Sequence, residues 1–266
     1  EPEPEPDPGT EPDPGLEVTP RGTRYCGNED PDIYLGAMRI MQNEWTDPAT
    51  DTCIFLNQDG TFGWSWTRGG TGSGDNPGYP NYPEVEFGID PWNEEGISET
   101  TTMLLPEQLK NIHSASMTAS FDSTGVYGDH NTAFEMWFTE NNPVTDPPGR
   151  VVAEIMVFFA WHDGYWPPDP CCSWDVKQSA GSSYVLYHSS DDWGSWGIYR
   201  QYRRQAGSDH RFDGTLDIKP FLDGFNGDWW VTRFEIGNEI YQSSGGTTTF
   251  DSLCFEVNGT TRCAQN

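Results

Sequence analysis

Apolar and polar residues alternate with a period of two along much of this chain. In Thr132–Phe138, Phe134, Met136 and Phe138 fall on one face, and Ala133, Glu135 and Trp137 on the other. In Ser252–Val257, Leu253, Phe255 and Val257 point one way. Val151–Trp161 differs: Val152, Glu154, Met156, Phe158 and Ala160 share one face, and Ala153, Ile155, Val157 and Phe159 the other. Both faces are apolar, which predicts a central strand. Further strand-like runs are Cys53–Leu56, Thr61–Trp66, Glu84–Phe87, Ser116–Phe121, Tyr184–His188, Gly197–Tyr202 and Trp229–Ile236. One segment, Leu216–Phe225, reads as helical, with Pro220 tolerable only in its first turn. Many short strands and one short helix predict an all-β sandwich or barrel.

The N-terminal stretch lacks this texture. It repeats Glu-Pro, then Asp-Pro-Gly, with nothing apolar except proline before Leu16. Alternating proline and like charge favours an extended, solvated chain. Residues 1–21 are therefore expected to be a disordered tether and residues 22–266 one domain.

Charge narrows the partners. The net charge is −28 with only 14 lysines and arginines, which excludes ordinary nucleic-acid binding and disfavours an anionic polysaccharide. A neutral polysaccharide meets no such repulsion. No apolar run is long enough to cross a membrane as a helix. The chain starts at Glu1 with no signal-like segment, so a processed, exported form is expected, secreted or tethered at the cell surface. The even set of 6 cysteines fits disulfides. Cys26 is expected to pair with Cys53. Cys254 should pair with Cys263 across a hairpin turning at Asn258-Gly259. The adjacent Cys171 and Cys172 form either a vicinal disulfide or two thiols. Asn258-Gly259-Thr260 is also a formal glycosylation acceptor, read first as that turn. Neither the cysteine spacings nor the histidines resemble a metal site, and none is expected.

Two glutamates carry the chemistry. Glu154 lies in Val151–Trp161 and Glu239 in Phe234-Glu235-Ile236-Gly237-Asn238-Glu239-Ile240-Tyr241. Burying a carboxylate in such runs is unfavourable by several kcal/mol unless compensated. A strand that accepts one is expected to line a cleft.

Several motifs recur together in a known order. Ala133-Phe134-Glu135-Met136-Trp137-Phe138 followed by Ala153-Glu154-Ile155-Met156-Val157-Phe158 resembles the paired central strands of glycoside hydrolase family 12. That family has Ala-Tyr-Asp-hydrophobic, then Glu-hydrophobic-Met-hydrophobic-Trp. Gln42-Asn43-Glu44-Trp45 sits where the family has Asn-Asn-x-Trp, and Tyr82–Gly88 resembles its Tyr-Pro strand. Asp217–Phe221 looks like the start of its short helix, and Gly237–Tyr241 matches Gly-x-Glu-hydrophobic-aromatic. The resemblance spans roughly residues 24–258. The chain departs from it at Gln42, Glu135 and Phe158, and in the segment Asp163–Trp174.

The resemblance implies a β-jelly roll of two antiparallel sheets, the inner one curved into an open cleft. It implies a cofactor-free, retaining endo-acting enzyme on β-1,4-glucans, here expected to be a monomer. Glu154 would be the nucleophile, Glu239 the acid/base and Glu135 a hydrogen-bonding partner of Glu154. Asn43, Trp45, Trp137, Met156, Phe158, Trp161 and Trp66 are the candidates for holding sugar, the tryptophans by stacking. A non-catalytic carbohydrate-binding module on the same architecture is the alternative. The paired Glu154 and Glu239 favour the enzyme.

Overall fold

The computed structural model describes residues 18–26, 31–44, 50–68, 81–92, 104–161, 174–193, 197–205, 210–241 and 243–264. In chain order the strands are β1 (Thr23–Tyr25), β2 (Ile33–Tyr34), β3 (Arg39–Met41), β4 (Thr50–Leu56), β5 (Phe62–Arg68) and β6 (Glu84–Gly88). They continue as β7 (Glu107–Gln108), β8 (Ala115–Tyr127), β9 (Asn131–Thr139), β10 (Val151–Trp161), β11 (Val176–Ser179) and β12 (Ser182–Trp193). The last are β13 (Gly197–Arg204), β14 (Arg211–Asp217), β15 (Trp230–Gly237), β16 (Ser244–Val257) and β17 (Thr260–Cys263).

Two sheets form, as the alternation predicts. The smaller runs β1-β4-β5-β16-β8-β14, with β17 beside β16. The larger runs β11-β12-β13-β10-β9-β15-β6-β3-β2, with β7 beside β15. Between them lies one apolar core. Phe134, Met136, Phe138, Ile155, Val157, Phe159, Phe234 and Ile236 come from the larger sheet, and Ile54, Phe62, Trp64, Leu253, Phe255 and Val257 from the smaller. Each such side chain contributes about 1.5–3 kcal/mol on burial. This is the β-jelly roll expected, with β10 central between β13 and β9.

Two expectations are corrected. The sheets are not wholly antiparallel, because β10 and β13 pair in parallel. Parallel neighbours need a long crossover. The chain makes one by passing from β10 to the sheet edge at β11 and returning through β12. The helix is a single turn, α1 (Lys219–Leu222). Leu216 and Asp217 are held instead in β14 by pairing with Met117 and Ser116, and Pro220 can sit only at the helix start. A 3₁₀ turn at Leu109–Asn111 joins it. Contacts with the sheets are also made by residues ahead of residue 22. Val18 bridges Leu35, and Thr19 N–H donates to the Tyr34 carbonyl (2.8 Å).

Both expected disulfides that fall on described residues form, Cys26–Cys53 and Cys254–Cys263. Cys171 and Cys172 lie outside the described residues. The hairpin β16–β17 turns on Asn258 (φ 52°) and Gly259 (φ 80°), the left-handed pair that Asn-Gly favours. The Asn258 amide is engaged there: its oxygen accepts from His113 N–H (2.7 Å), and its nitrogen donates to the Asn111 carbonyl (2.9 Å).

Candidate active site

Every second residue of the larger sheet points away from the core, and these residues line up across the strands. One row reads Gly88, Arg233, Trp137, Glu154, Tyr199, from β6 through β15, β9 and β10 to β13. The next reads Arg39, Glu86, Glu235, Glu135, Met156, Gln201. A third reads Met41, Glu84, Gly237, Ala133, Phe158, Arg203. Register partners on one face stand roughly 5 Å apart at Cβ, so side chains that follow one another in a row are close neighbours, except where Gly88 and Gly237 supply none.

Glu154 and Glu135 therefore share a face, as predicted, but stand diagonally. The register partner of Glu154 is Trp137, and that of Glu135 is Met156. Glu239 follows the end of β15 and is held by Asn131. The Asn131 side chain donates to the Glu239 carboxylate and accepts from Glu239 N–H (3.2 Å). Asn131 N–H in turn donates to the Glu239 carbonyl (3.1 Å). Gly237 lets this turn pack closely. A Cβ there would stand 2.7 Å from the Pro83 carbonyl oxygen and 2.8 Å from the Tyr82 ring.

The three carboxyl groups act on one another. Burial holds the Glu135 carboxyl well above the usual carboxylate range, and the charges of Glu235, Glu154 and Glu239 push it the same way. Tyr199 is raised well above the ordinary phenol value, first by burial and then by Glu154, Glu239 and Glu135. All three carboxyl groups thus lie within electrostatic reach of one phenol. Tyr199 donates its own proton to Met156 Sδ (3.1 Å).

Beside them lies an ionic cluster that motif reading missed. Arg233 contacts Glu235 (2.6 Å), Glu84 (2.9 Å) and Glu86 (3.2 Å), and Arg39 pairs with both Glu86 and Asp32 (3.2 Å to the latter). Burial and the Glu235 charge raise Glu84 well above the usual range, although Arg233 opposes them. Burial also raises Glu86 against both arginines. A sequence signal existed. Glu84-Val85-Glu86-Phe87 and Arg233-Phe234-Glu235-Ile236 place charges at alternate positions of apolar strands, as Glu135 and Glu154 do.

The expected sugar-binding residues divide. Met156 and Phe158 lie on the Glu154 face and pack with Ala133, Tyr199 and the half-buried Trp161. Arg203 sits over the rings of Tyr187 (4.2 Å), Trp161 (5.2 Å) and Phe158 (5.5 Å), a cation–π stack. Trp137 is in the first row but buried, its indole N–H donating to Glu235 and its ring meeting Trp92 edge-on at 4.7 Å. Asn43 donates to Glu84 (2.7 Å). Trp66 is corrected: it belongs to the smaller sheet and is buried in the core, because β5 turns both Trp64 and Trp66 inward. Trp45 lies outside the described residues. Among the described residues, no group of His, Cys, Asp or Glu is arranged to hold a metal ion.

No protein-family model matches this sequence, and no curated protein does either. Solved structures do match. A family 12 xyloglucanase from Bacillus licheniformis superposes with a TM-score of 0.71 at 18% identity, over 89% of this chain and 100% of that one. An endoglucanase from Rhodothermus marinus gives a TM-score of 0.69 at 21% identity, over 90% of this chain and 100% of that one. A metagenome-derived glycoside hydrolase family 12 endoglucanase gives 0.67 at 20%, over 90% and 98%. This chain has the β-jelly-roll fold of the family 12 glycoside hydrolases, the family its strand motifs resemble.

Proposed function

We propose that this protein is a retaining, endo-acting glycoside hydrolase of family 12 that cleaves β-1,4 linkages in a neutral β-glucan. Glu154 is the nucleophile. Its carboxylate attacks the anomeric carbon while Glu239 gives its proton to the leaving glycosidic oxygen. In the second step Glu239 takes a proton from water, the water oxygen bonds to the anomeric carbon, and Glu154 departs as a carboxylate. Glu135 stands beside the nucleophile. The observation that carries this reading is that Glu154 and Glu135 lie on one face of the larger sheet, with Glu239 anchored at the end of β15 by Asn131. The fold shared with xyloglucanases and endoglucanases supports it, as does the strong net negative charge of −28, which favours an uncharged substrate. Met156, Phe158 and Trp161 supply the apolar side of the sugar site, Trp137 stands beside Glu154, Asn43 bonds sugar hydroxyls, and Trp45 is a further stacking residue by its motif. The protein acts outside the cytoplasm as a monomer.

The test is reducing-sugar release from cellulose, mixed-linkage glucan and xyloglucan, with the first-formed anomer read by NMR. A β-anomer is expected. Glu154→Gln should fold normally and lose turnover. A first product of α configuration would replace the double displacement by inversion, and a variant that kept much of its activity would remove Glu154 from the nucleophile's role.

A further inference from the structure

The smaller sheet has an outer face of its own, and two cross-strand rows meet there. One runs Asp51, Thr67, Gly245, Tyr127 through β4, β5, β16 and β8, and the next runs Cys53, Ser65, Thr247, Thr124. Thr124 and Tyr127 are three positions apart, so a regular strand would turn them to opposite faces. A β-bulge prevents this. Gly125 and Val126 together oppose Gly246, with Gly125 in the left-handed region (φ 63°), and Val126 takes the inward place against the core.

Tyr127 lies across the sheet. A Cβ on Gly245 would stand 2.5 Å from its Cε1 and 2.6 Å from its Cζ and Oη. No point in the ring plane is that far from all three atoms, so the glycine meets a face of the ring and not its edge. Only the absence of a side chain at 245 admits this approach. Tyr127 is 53% exposed, and the other face of its ring looks to solvent. Beside it the two rows enclose a depression of about 420 Å³, within the range of roughly 300–1,000 Å³ usual for ligand sites. Its far wall is Arg24 of β1, whose guanidinium donates to Ser65 Oγ (2.9 Å) and lies 5.6 Å from the centre of the Phe55 ring.

We propose that this depression is a second binding site for neutral polysaccharide, with Tyr127 as its stacking platform. A pyranose ring offers C–H groups on its faces and hydroxyls around its rim. The exposed face of Tyr127 takes the first. For the second, Arg24 donates, Asp51 accepts, and the hydroxyls of Ser65, Thr67 and Thr124 do either. One guanidinium and one carboxylate line the depression, so the site itself carries no net charge. On a chain of net charge −28 that suits an uncharged ligand.

The site lies on the far side of the core from Glu154 and Glu135, so a sugar bound there leaves the cleft open. It is nonetheless close along the chain to the acid/base. From Tyr127 the polypeptide rounds the end of the sandwich and four residues later reaches Asn131, which holds Glu239. A long polymer held at Tyr127 therefore stays near the cleft, and its effective concentration there rises without any new contact to the catalytic residues. That the polymer is a β-glucan rests on the proposed function. The existence of the site does not.

Tyrosine carrying a ¹³C ring label, followed by NMR, tests the proposal. The Tyr127 signal is identified by its loss in Tyr127→Phe. Cellohexaose, whose β-1,4 linkage is common to the three candidate glucans, is added in the cold to Glu154→Gln protein. The Tyr127 signal should shift, and a charged oligogalacturonate should leave it in place. Adsorption to insoluble cellulose should fall about three- to tenfold in Tyr127→Ala and stay near the wild-type level in Tyr127→Phe, which keeps the ring. In both variants kcat/KM on cellohexaose should match the wild type. A Tyr127 signal indifferent to cellohexaose would overturn the proposal, as would an equal shift with oligogalacturonate or equal adsorption by the wild type and Tyr127→Ala. If the wild type released no sugar while the Tyr127 signal still moved with cellohexaose, the proposed function would fail and the binding site would stand.

Discussion

The indole N–H of Trp64 donates to the side-chain oxygen of Asn238 at 2.7 Å, joining residues 174 positions apart. Trp64 belongs to the smaller sheet, and Asn238 immediately precedes Glu239. The same Asn238 oxygen accepts from Thr248 (2.7 Å), and its nitrogen donates to the Asn131 carbonyl (2.7 Å) and to Thr132 (2.8 Å). The core of the sandwich thereby fixes the residue beside the proposed acid/base.

Replacing Asn238 by alanine removes four buried hydrogen bonds. The expected loss is about 2–4 kcal/mol, or roughly 5–10 °C in Tm. Because Asn131 also grips Glu239, kcat should fall more than KM changes. Thermal melts and steady-state kinetics check this, with the exposed Asn57→Ala as control. A variant that melted with the wild type would show that the network is dispensable.

For Glu239 itself, the role of proton donor makes a distinctive pattern. Glu239→Ala should lose most activity on polysaccharide yet show a glycosylation burst with an activated aryl glycoside, whose leaving group needs little protonation. Azide should restore turnover by entering the space left by the side chain, and the product should be a β-glycosyl azide. Equal loss on both substrates with no rescue would assign the acid/base elsewhere.

Stability should depend on pH in a set direction. Burial raises the folded-state carboxyl groups of Glu84 and Glu135 well above their usual range. The folded chain therefore keeps protons that the unfolded chain releases. Their contribution is complete at and below the ordinary carboxylate value of about 4.3 and declines as pH rises towards the folded values, by at most about 1.4 kcal/mol per pH unit per group. Urea unfolding between mildly acidic and neutral pH should show this decline, and Glu135→Gln should make it shallower. An unchanged slope would mean that Glu135 ionises alike in both states.

The N-terminal boundary makes a graded prediction. Removing residues 1–17 should leave Tm and activity on soluble glucan unchanged, since that truncation keeps the bonds of Val18 and Thr19 to Leu35 and Tyr34. Removing residues 1–20 should lower Tm by a few degrees, because buried Thr19 also accepts from Tyr34 N–H at 2.8 Å. Equal behaviour of the two truncations would place the boundary elsewhere.

Much of the fold was legible because alternation is a local signal. The bounds of β10, the inward set Phe134, Met136 and Phe138, and the Asn-Gly hairpin all follow from neighbours along the chain. Pairing across the sandwich is not local. That β13 runs parallel to β10, that Trp66 faces the core rather than the cleft, and that Arg233 meets Glu84 and Glu86 depend on which strands become neighbours. Glu135 and Glu154 were found because each sits in a recognisable motif. Glu235 and Glu84 have the same apolar settings, but the partners that account for them lie in other strands.

The rows of side chains on the outward face run at right angles to the polypeptide. Each row borrows a single residue from each strand it crosses, so no stretch of sequence contains a row. Drift within one strand alters a row at one point only, and loops of any length can be exchanged at the strand ends without disturbing its order. A lineage built this way can replace most of its residues while its cross-section persists. Engineering of the cleft follows the same grammar: a change carried across strands edits one row, whereas a change carried along a strand touches every row once.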